Sequence, residues 1–346
     1  MVRKMLDGLT LIESILSRSP GCAAVSRDAG TGMSTMHQRK PQLAGNGSVV
    51  LFDTAMTISA AVATLLDQFH AKRPVRAWSL IITLYGDAIV PRGGSLWLGS
   101  LSEIMALFRV DAGHVRTAMS RLTADGWLKR VKVGRNSYYR LTRREEGSFT
   151  AATQRIYFAG EPAFDGRLRL ALLGPGAAAT ARPALEHAGF AALTANAYVA
   201  FGEPRAKLPD IDGLFLLRAD ADEEAHALAA AAWKLGPIAL AYRDFIDRFT
   251  PLDTALARRS RVEGDDALVA RILLIHEFRR VVLRDPGLPA ALLPADWPGA
   301  AARQLAGRLY RRLLDDSEAY LDVNALDQEG PLSAIDGNLR DRFVSK

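Results

Sequence analysis

Residues 111–142, DAGHVRTAMSRLTADGWLKRVKVGRNSYYRLT, decide how the chain is read. Val115, Ala118, Met119 and Leu122 fall at i, i+3, i+4 and i+7, the apolar stripe of a helix seated on a core. Asp111 is a natural N-cap before it, and Asp125-Gly126 closes it. His114 near the start, with Arg116, Thr117, Ser120 and Arg121, lies off the stripe. After Gly126 the pattern changes to a hairpin, Trp127–Val133 and Ser137–Thr142, around a Gly134-Arg135-Asn136 turn. Tyr139 shares its alternation with Leu141 and is a candidate for the core.

Working upstream, Val75–Ile89 has Trp78, Ile81, Ile82 and Tyr85 at helical spacing, followed by a turn at Pro91-Arg92-Gly93-Gly94. Trp97–Leu101 reads as a short strand leading into a helix over Ser102–Phe108. Helix, helix, turn, helix and basic hairpin, in that order, spell a winged helix-turn-helix near residues 75–143. In that motif the third helix enters a groove of double-stranded DNA, and the hairpin's tip enters a minor groove or touches a phosphate. Arg116, Thr117 and Ser120 are the candidates for the groove floor, and Arg121 for the phosphates. His114 stands at the helix entrance. Lys132, Arg135, Asn136 and Tyr138 are the candidate contacts of the wing, with Arg135 at its tip.

Charge supports the same segment. Between Arg109 and Arg144 stand ten lysines and arginines and two aspartates, a net +8 in a chain whose total is +6, so the remainder is −2. Such a concentration is the footprint of a surface that meets phosphates, although a solvated basic face would carry it too.

Residues 1–55 read as a poorly ordered extension, with a short amphipathic stretch from Leu6 to Leu16 and a linker-like Pro41–Gly47. Asp7 and Glu13 interrupt any signal-like apolar run. Cys22 is the only cysteine, which excludes an intrachain disulfide and fits a cytoplasmic chain. No apolar run reaches the roughly 18 residues that span a bilayer, so no membrane partner is expected.

Beyond the hairpin, Arg167–Leu173, Ala195–Phe201 and Gly213–Leu217 read as strands, and Arg182–Ala188 as a helix, a small βαββ-type layer. From Asp222 onward the pattern is helical: Asp222–Lys234, Ile238–Phe249, Asp265–Arg284 and Ala300–Tyr320.

VRTAMSRL (115–122), Gly126-Trp127-Leu128 and SYYRL (137–141) resemble the PaaX family, regulators of phenylacetic-acid degradation operons. The likeness runs on through Arg155-Ile156-Tyr157, Phe164-Asp165-Gly166-Arg167, Gly189-Phe190 to Tyr198, Trp233, Leu235, Tyr242 and Phe245. It continues in His276-Glu277-Phe278-Arg279-Arg280, Arg284-Asp285-Pro286, Leu292-Leu293-Pro294 and Asp296-Trp297-Pro298-Gly299. The departures are residues 1–55, Phe164 where the family often has Trp, and an Ala/Gly-rich loop from Gly174 to Thr180.

The resemblance implies an α+β multidomain chain. After the extension (1–55), which has no counterpart in the family, it would comprise a winged helix (56–145), a central ferredoxin-like α/β domain (150–218), a C-terminal helical domain (222–325) and a tail (326–346). It implies a homodimeric repressor, with no catalytic residues and no cofactor. Such a repressor binds a double-stranded DNA operator and is released by an acyl-CoA effector such as phenylacetyl-CoA. His276, Arg279 and Arg280 share a helix face and could hold a CoA phosphate or form internal pairs. Trp297 could stack on a ring of the effector or plug the core. His276-Glu277 lacks the second histidine of a zincin site, position 280 being Arg. Rival readings are a nucleic-acid hydrolase using Asp165, and an architectural DNA binder without an effector.

Overall fold

The computed structural model describes residues 56–72, 76–142, 149–158, 160, 164–202, 206–221, 223–258, 261–335 and 337–344. The N-terminal extension and Cys22 lie outside them.

The first helix, α1 (Ile58–Ala71), starts at Thr57, whose hydroxyl accepts the Ala60 amide at 3.2 Å. It buries Ile58, Ala61, Val62, Leu65, Leu66 and Phe69. Helix α2 (Ala77–Leu84) gives way to a π-helical turn, Tyr85–Ile89. A single helix over 75–89 was the expectation. The wide turn instead lets Tyr85, Asp87, Ala88 and Ile89 all face inward. Trp78 and Ile82, expected on the buried face, are only partly covered.

Strand β1 is Ser95–Trp97 and helix α3 is Leu98–Leu107, so the strand ends and the helix begins earlier than the sequence suggests. Gly99 is why the early start fits: the Trp97 ring lies where a Cβ at 99 would be. Helix α4 (Ala112–Ala124) and strands β2 (Leu128–Val133) and β3 (Asn136–Leu141) follow. The three strands are antiparallel in the order β1-β3-β2.

The central layer is β4 (Arg167–Leu173), α5 (Ala178–His187), β5 (Ala191–Ala192), β6 (Ala197–Phe201) and β7 (Leu214–Asp220). The sheet is antiparallel with order β5-β6-β4-β7. Helix α5 starts four residues before the expected Arg182 and carries Pro183 in its interior. Among the described residues, the connection from β6 to β7 carries no helix. The layer has its own small core, including Ala171, Leu173, Ala181, Leu185, Phe190 and Tyr198.

Four α-helices follow among the described residues: α6 (Ala225–Ala232), α7 (Leu235–Ala257), α8 (Gly264–Val282) and α9 (Gly299–Asn324). Helix α7 continues through Pro251, which the sequence marks as a stop, because Leu252, Ala255 and Leu256 beyond it are buried. Helix α8 is buried nearly all round, enclosed by other helices, and its buried residues include Arg271, His276 and Arg279. It packs against α1 and α2 on one side and α7 and α9 on the other. One continuous core therefore runs from α1–α4 and the hairpin into α7–α9.

Candidate nucleic-acid interface

Helix α4 seats itself as its spacing requires. Val115, Ala118, Met119 and Leu122 are buried, while His114, Arg116, Thr117, Ser120 and Arg121 form the exposed side. Asp111 caps the helix, accepting the amides of Gly113 at 2.8 Å and His114 at 3.0 Å. Its carboxylate also pairs with the His114 imidazole. That ring contact, followed by the backbone bonds, lowers the Asp111 pKa to about 2. A carboxylate thus occupies the positive end of α4, so the face open to a polyanion is the helix side. Thr117 donates to the Gly113 carbonyl at 3.0 Å. The Arg121 guanidinium lies over Trp78, 5.2 Å from the ring centroid, with Nε 3.5 Å from Asp125. Arg121 is thereby held at the end of the helix, leaving Arg116 and Ser120 extended on its flank.

The hairpin closes in a two-residue turn, Gly134-Arg135, since Val133 pairs with Asn136. Gly134 has φ +58, the left-handed conformation such a turn needs. Lys132, Arg135 and Asn136 are exposed. Tyr138 is only 9% exposed, set between Val131 and Trp97 in the sheet; Tyr139 joins the core as its alternation suggests. Lys129, Arg130 and Arg140 are also exposed on the hairpin. The sequence reading passed over them. Lys129 and Arg140, paired with each other in the register, alternate with Leu128, Tyr139 and Leu141, which was the available signal for them; Arg130 stands opposite Tyr139 on the apolar face, where alternation gives none. Arg130 donates to the Ser137 hydroxyl at 2.7 Å, which steadies the wing.

Residues 76–145 match the model of the PaaX-like protein family, and residues 233–323 match that of the PaaX-like protein C-terminal domain. The chain is 36% identical, over 280 residues, to the transcriptional repressor PaaX of Escherichia coli (strain K12). That alignment covers 75% of this chain and 88% of the relative. The chain belongs to the PaaX family. Among solved structures, an uncharacterized protein from Mycobacterium tuberculosis, Rv0674, is similar at 21% identity and a TM-score of 0.44. That match covers 76% of this chain and 98% of the other.

In this PaaX-family chain His276 and Arg279 are spent on buried internal contacts, and Trp297 packs elsewhere, against Tyr242. His276 is 3% exposed; its Nδ1 lies 3.1 Å from the Thr83 hydroxyl and its ring meets the edge of Phe69. Thr83 already donates to the Ser79 carbonyl at 3.0 Å, so its oxygen accepts from His276, which assigns the proton to Nδ1. Burial, then Arg279, Arg280 and Lys72, push the His276 pKa well below its ordinary value. Arg279 donates to the Ser79 carbonyl at 2.9 Å and hydroxyl at 2.7 Å. Burial, chiefly, and Arg280 lower its pKa to about 10. Both side chains hold α8 to α2 and α1.

Arg280 is half-buried, 3.6 Å from Glu277, and the same carboxylate takes Lys72 at 2.6 Å and Arg248 at 3.5 Å. Trp297 packs edge-on against Tyr242, whose hydroxyl donates to Asp285 at 2.7 Å. Asp165 accepts the Arg167 amide at 3.1 Å and pairs with Arg169 at 3.6 Å, the arrangement of a turn residue. Among the described residues no three His, Cys, Asp or Glu side chains gather as a metal set, and no helix is long and apolar enough to cross a membrane.

Proposed function

We propose that this PaaX-family chain is a cytoplasmic transcriptional repressor whose winged helix-turn-helix, α2–α4 with the β2–β3 hairpin, reads operator DNA. The observation that carries the reading is the exposed side of α4, with Arg116 and Ser120 projecting beside a basic hairpin tipped by Arg135. Arginine can pair bidentately with guanine or with phosphate, and serine suits either. The curated relative in E. coli is a transcriptional repressor by name.

The central layer is read as ferredoxin-like. Its first strand, β4, lies between its third, β6, and its last, β7, with the short β5 outermost, which supports that reading; among the described residues the second crossover carries no helix. The repressor is read as a homodimer. In support, β7 pairs only with β4 among the described strands, and it exposes Phe215, Leu216 and Leu217 by 59, 53 and 48%. A strand apolar on both faces with an unpaired edge suits the middle of a larger sheet. Two copies would present two α4 helices to two half-sites.

The effector is read as an acyl-CoA thioester such as phenylacetyl-CoA, which must bind the DNA-free geometry more tightly than the DNA-bound one. The test is a mobility shift on the DNA upstream of the gene, at one salt concentration, with and without phenylacetyl-CoA. A specific shift abolished by the thioester is expected. A shift that ignores it removes this effector, and no specific shift by folded protein removes the repressor reading.

A further inference from the structure

The chain beyond α9 lies outside the residues matched by the family models, yet it is built into the molecule. After the helix ends at Asn324, the Leu326 carbonyl accepts the Trp97 amide of edge strand β1 at 2.8 Å. The Leu326 amide in turn donates to the Ser100 hydroxyl at 3.1 Å. A tight bend follows, with Leu332 N bonded to the Ala325 carbonyl at 3.1 Å, and Leu332 and then Leu339 are buried. The segment finally inserts Arg342 and Phe343.

Arg342 is 5% exposed. Its Nη1 reaches the carboxylate and the carbonyl of Asp87, both at 2.8 Å, and the Tyr310 hydroxyl at 2.9 Å. Its guanidinium lies over the Tyr157 ring, 4.1 Å from the centroid. The Phe343 amide donates to the Tyr157 carbonyl at 3.0 Å, and its ring meets Tyr157, Phe278 and Tyr310. Phe343 holds φ +61, a conformation a non-glycine residue keeps only where its surroundings impose it. Gly307 of α9 is where the close fit is made: a Cβ there would come within 3.0 Å of the Phe343 Cβ.

We propose that residues 325–344 are a strap that fixes the DNA-reading elements against α8 and α9, and that Arg342 is a positioning residue for DNA binding, acting through Asp87. The strap grips the reading module at two separate places, β1–α3 and the π turn, and grips α8 and α9 at Phe278 and Tyr310. Its loss leaves α4 folded and the shared core closed, but loosens the β1–α3 and π-turn contacts that hold α4 at one fixed angle. The consequence falls on engagement of two half-sites at once, which needs that angle fixed, and far less on one site. This role rests on the dimeric repressor reading above.

Arg342→Met is a fair probe because the buried charges left behind balance. Arg92 and Arg271 remain opposite Asp87 and Glu318, with ion pairs Arg271–Asp87 at 2.7 Å and Arg92–Glu318 at 2.9 Å intact. The experiment measures hydrogen exchange and DNA affinity on the full chain, Arg342→Met, and a chain ending at Ile335. Exchange should rise in residues 85–97 and 326–344 and stay unchanged in 112–124. Affinity for upstream DNA with both half-sites should fall about tenfold, and affinity for a duplex with one half-site should change less than about twofold.

Equal loss on both DNAs, or exchange rising throughout α4, would make Arg342 a general stability residue and overturn the proposal. Unchanged affinity on both DNAs overturns it as well. If the unaltered chain shows no specific binding, the repressor reading fails and the positioning role with it. The exchange pattern separately reports whether the strap holds.

Discussion

Asp87 has a side chain with no exposed surface, and it sits where three segments meet. Its carboxylate is 2.7 Å from Arg271 Nε, 2.8 Å from Arg342 Nη1 and 2.6 Å from the Tyr157 hydroxyl, which donates to it. Burial opposes the charge on Arg271, but Asp87, Tyr310 and Glu318 outweigh it and its pKa is raised. Asp87→Asn preserves shape and the backbone carbonyl, and removes one of the two buried negative charges that face Arg92, Arg271 and Arg342. Breaking a buried pair by neutralising one partner typically costs about 3–5 kcal/mol, because the other partner is left uncompensated. The lower end applies here, since Asn still accepts one hydrogen bond. At about 2–4 °C per kcal/mol for a cooperative unit of this size, the melting temperature should fall by about 6–12 °C. Urea and thermal unfolding of both proteins give the comparison. A loss below about 1 kcal/mol would refute the view that this carboxylate anchors the cluster. The double variant Asp87→Asn/Arg271→Met should recover at least about 1 kcal/mol relative to additivity, since the two groups are in contact.

His276 is buried neutral, with its folded pKa depressed. Its stabilisation is therefore present above the unfolded value near 6.5 and is lost as pH falls below it, by up to about 1.4 kcal/mol per pH unit. The urea midpoint of His276→Gln should decline less steeply than that of the unaltered protein between about pH 6.5 and 5, and parallel declines would contradict the neutral burial. Phe215→Glu with Leu217→Glu should convert a sedimenting dimer to a monomer at micromolar concentration; an unchanged dimer places the interface elsewhere. Arg116→Ala should weaken specific binding by about 1–3 kcal/mol and relax preference at one base position. Arg135→Ala should instead weaken all sequences alike and reduce the salt slope by about 1. Titration by fluorescence anisotropy at several salt concentrations separates the two, and identical profiles would erase the assigned division of labour.

The exposed and buried sides of α4 were legible in the sequence because a helix with one apolar stripe has only one way to sit on a core. The hairpin was legible because glycine marks its turn. What escaped was set by tertiary contact. The π turn at Tyr85–Ile89 exists to turn Asp87 inward toward Arg271 and Arg342, residues far away in sequence. Strand β5 is two residues long and is defined by its pairing with β6. Pro183 and Pro251 both sit inside helices, and α7 runs past Pro251 because Leu252, Ala255 and Leu256 beyond it are buried. The pairing of His276 with Thr83, and of Arg279 with Ser79, was open because periodicity groups residues on a face without saying what that face meets. Arg342 carried no signal at all, standing in a short polar segment that looks like a tail.

Where a small molecule could act follows from which parts share a core. The DNA-reading elements and α7–α9 were expected as separate domains, but Leu80, Ile81, Leu268 and Ile272 are all fully buried in one apolar mass that crosses between them. Arg271, Arg279 and the strap add buried polar links across the same seam. Opening it would expose apolar surface and strand charges together, a transition too costly for the few kcal/mol by which ligands bias conformations. The sheet layer is different. Its core is separate, and it meets the rest through a smaller cluster in which Phe164 and Phe201 face Trp233, Leu288 and Leu292. Rotation at that joint leaves both cores intact. If two copies meet along β7, a rotation there changes the separation of the two α4 helices while leaving each one folded and correctly presented. Release from a two-site operator then needs no loss of affinity at either single site. A duplex with one half-site should consequently be held equally well with and without the effector, and effector sensitivity confined to the two-site DNA is the signature that locates the moving joint at the sheet.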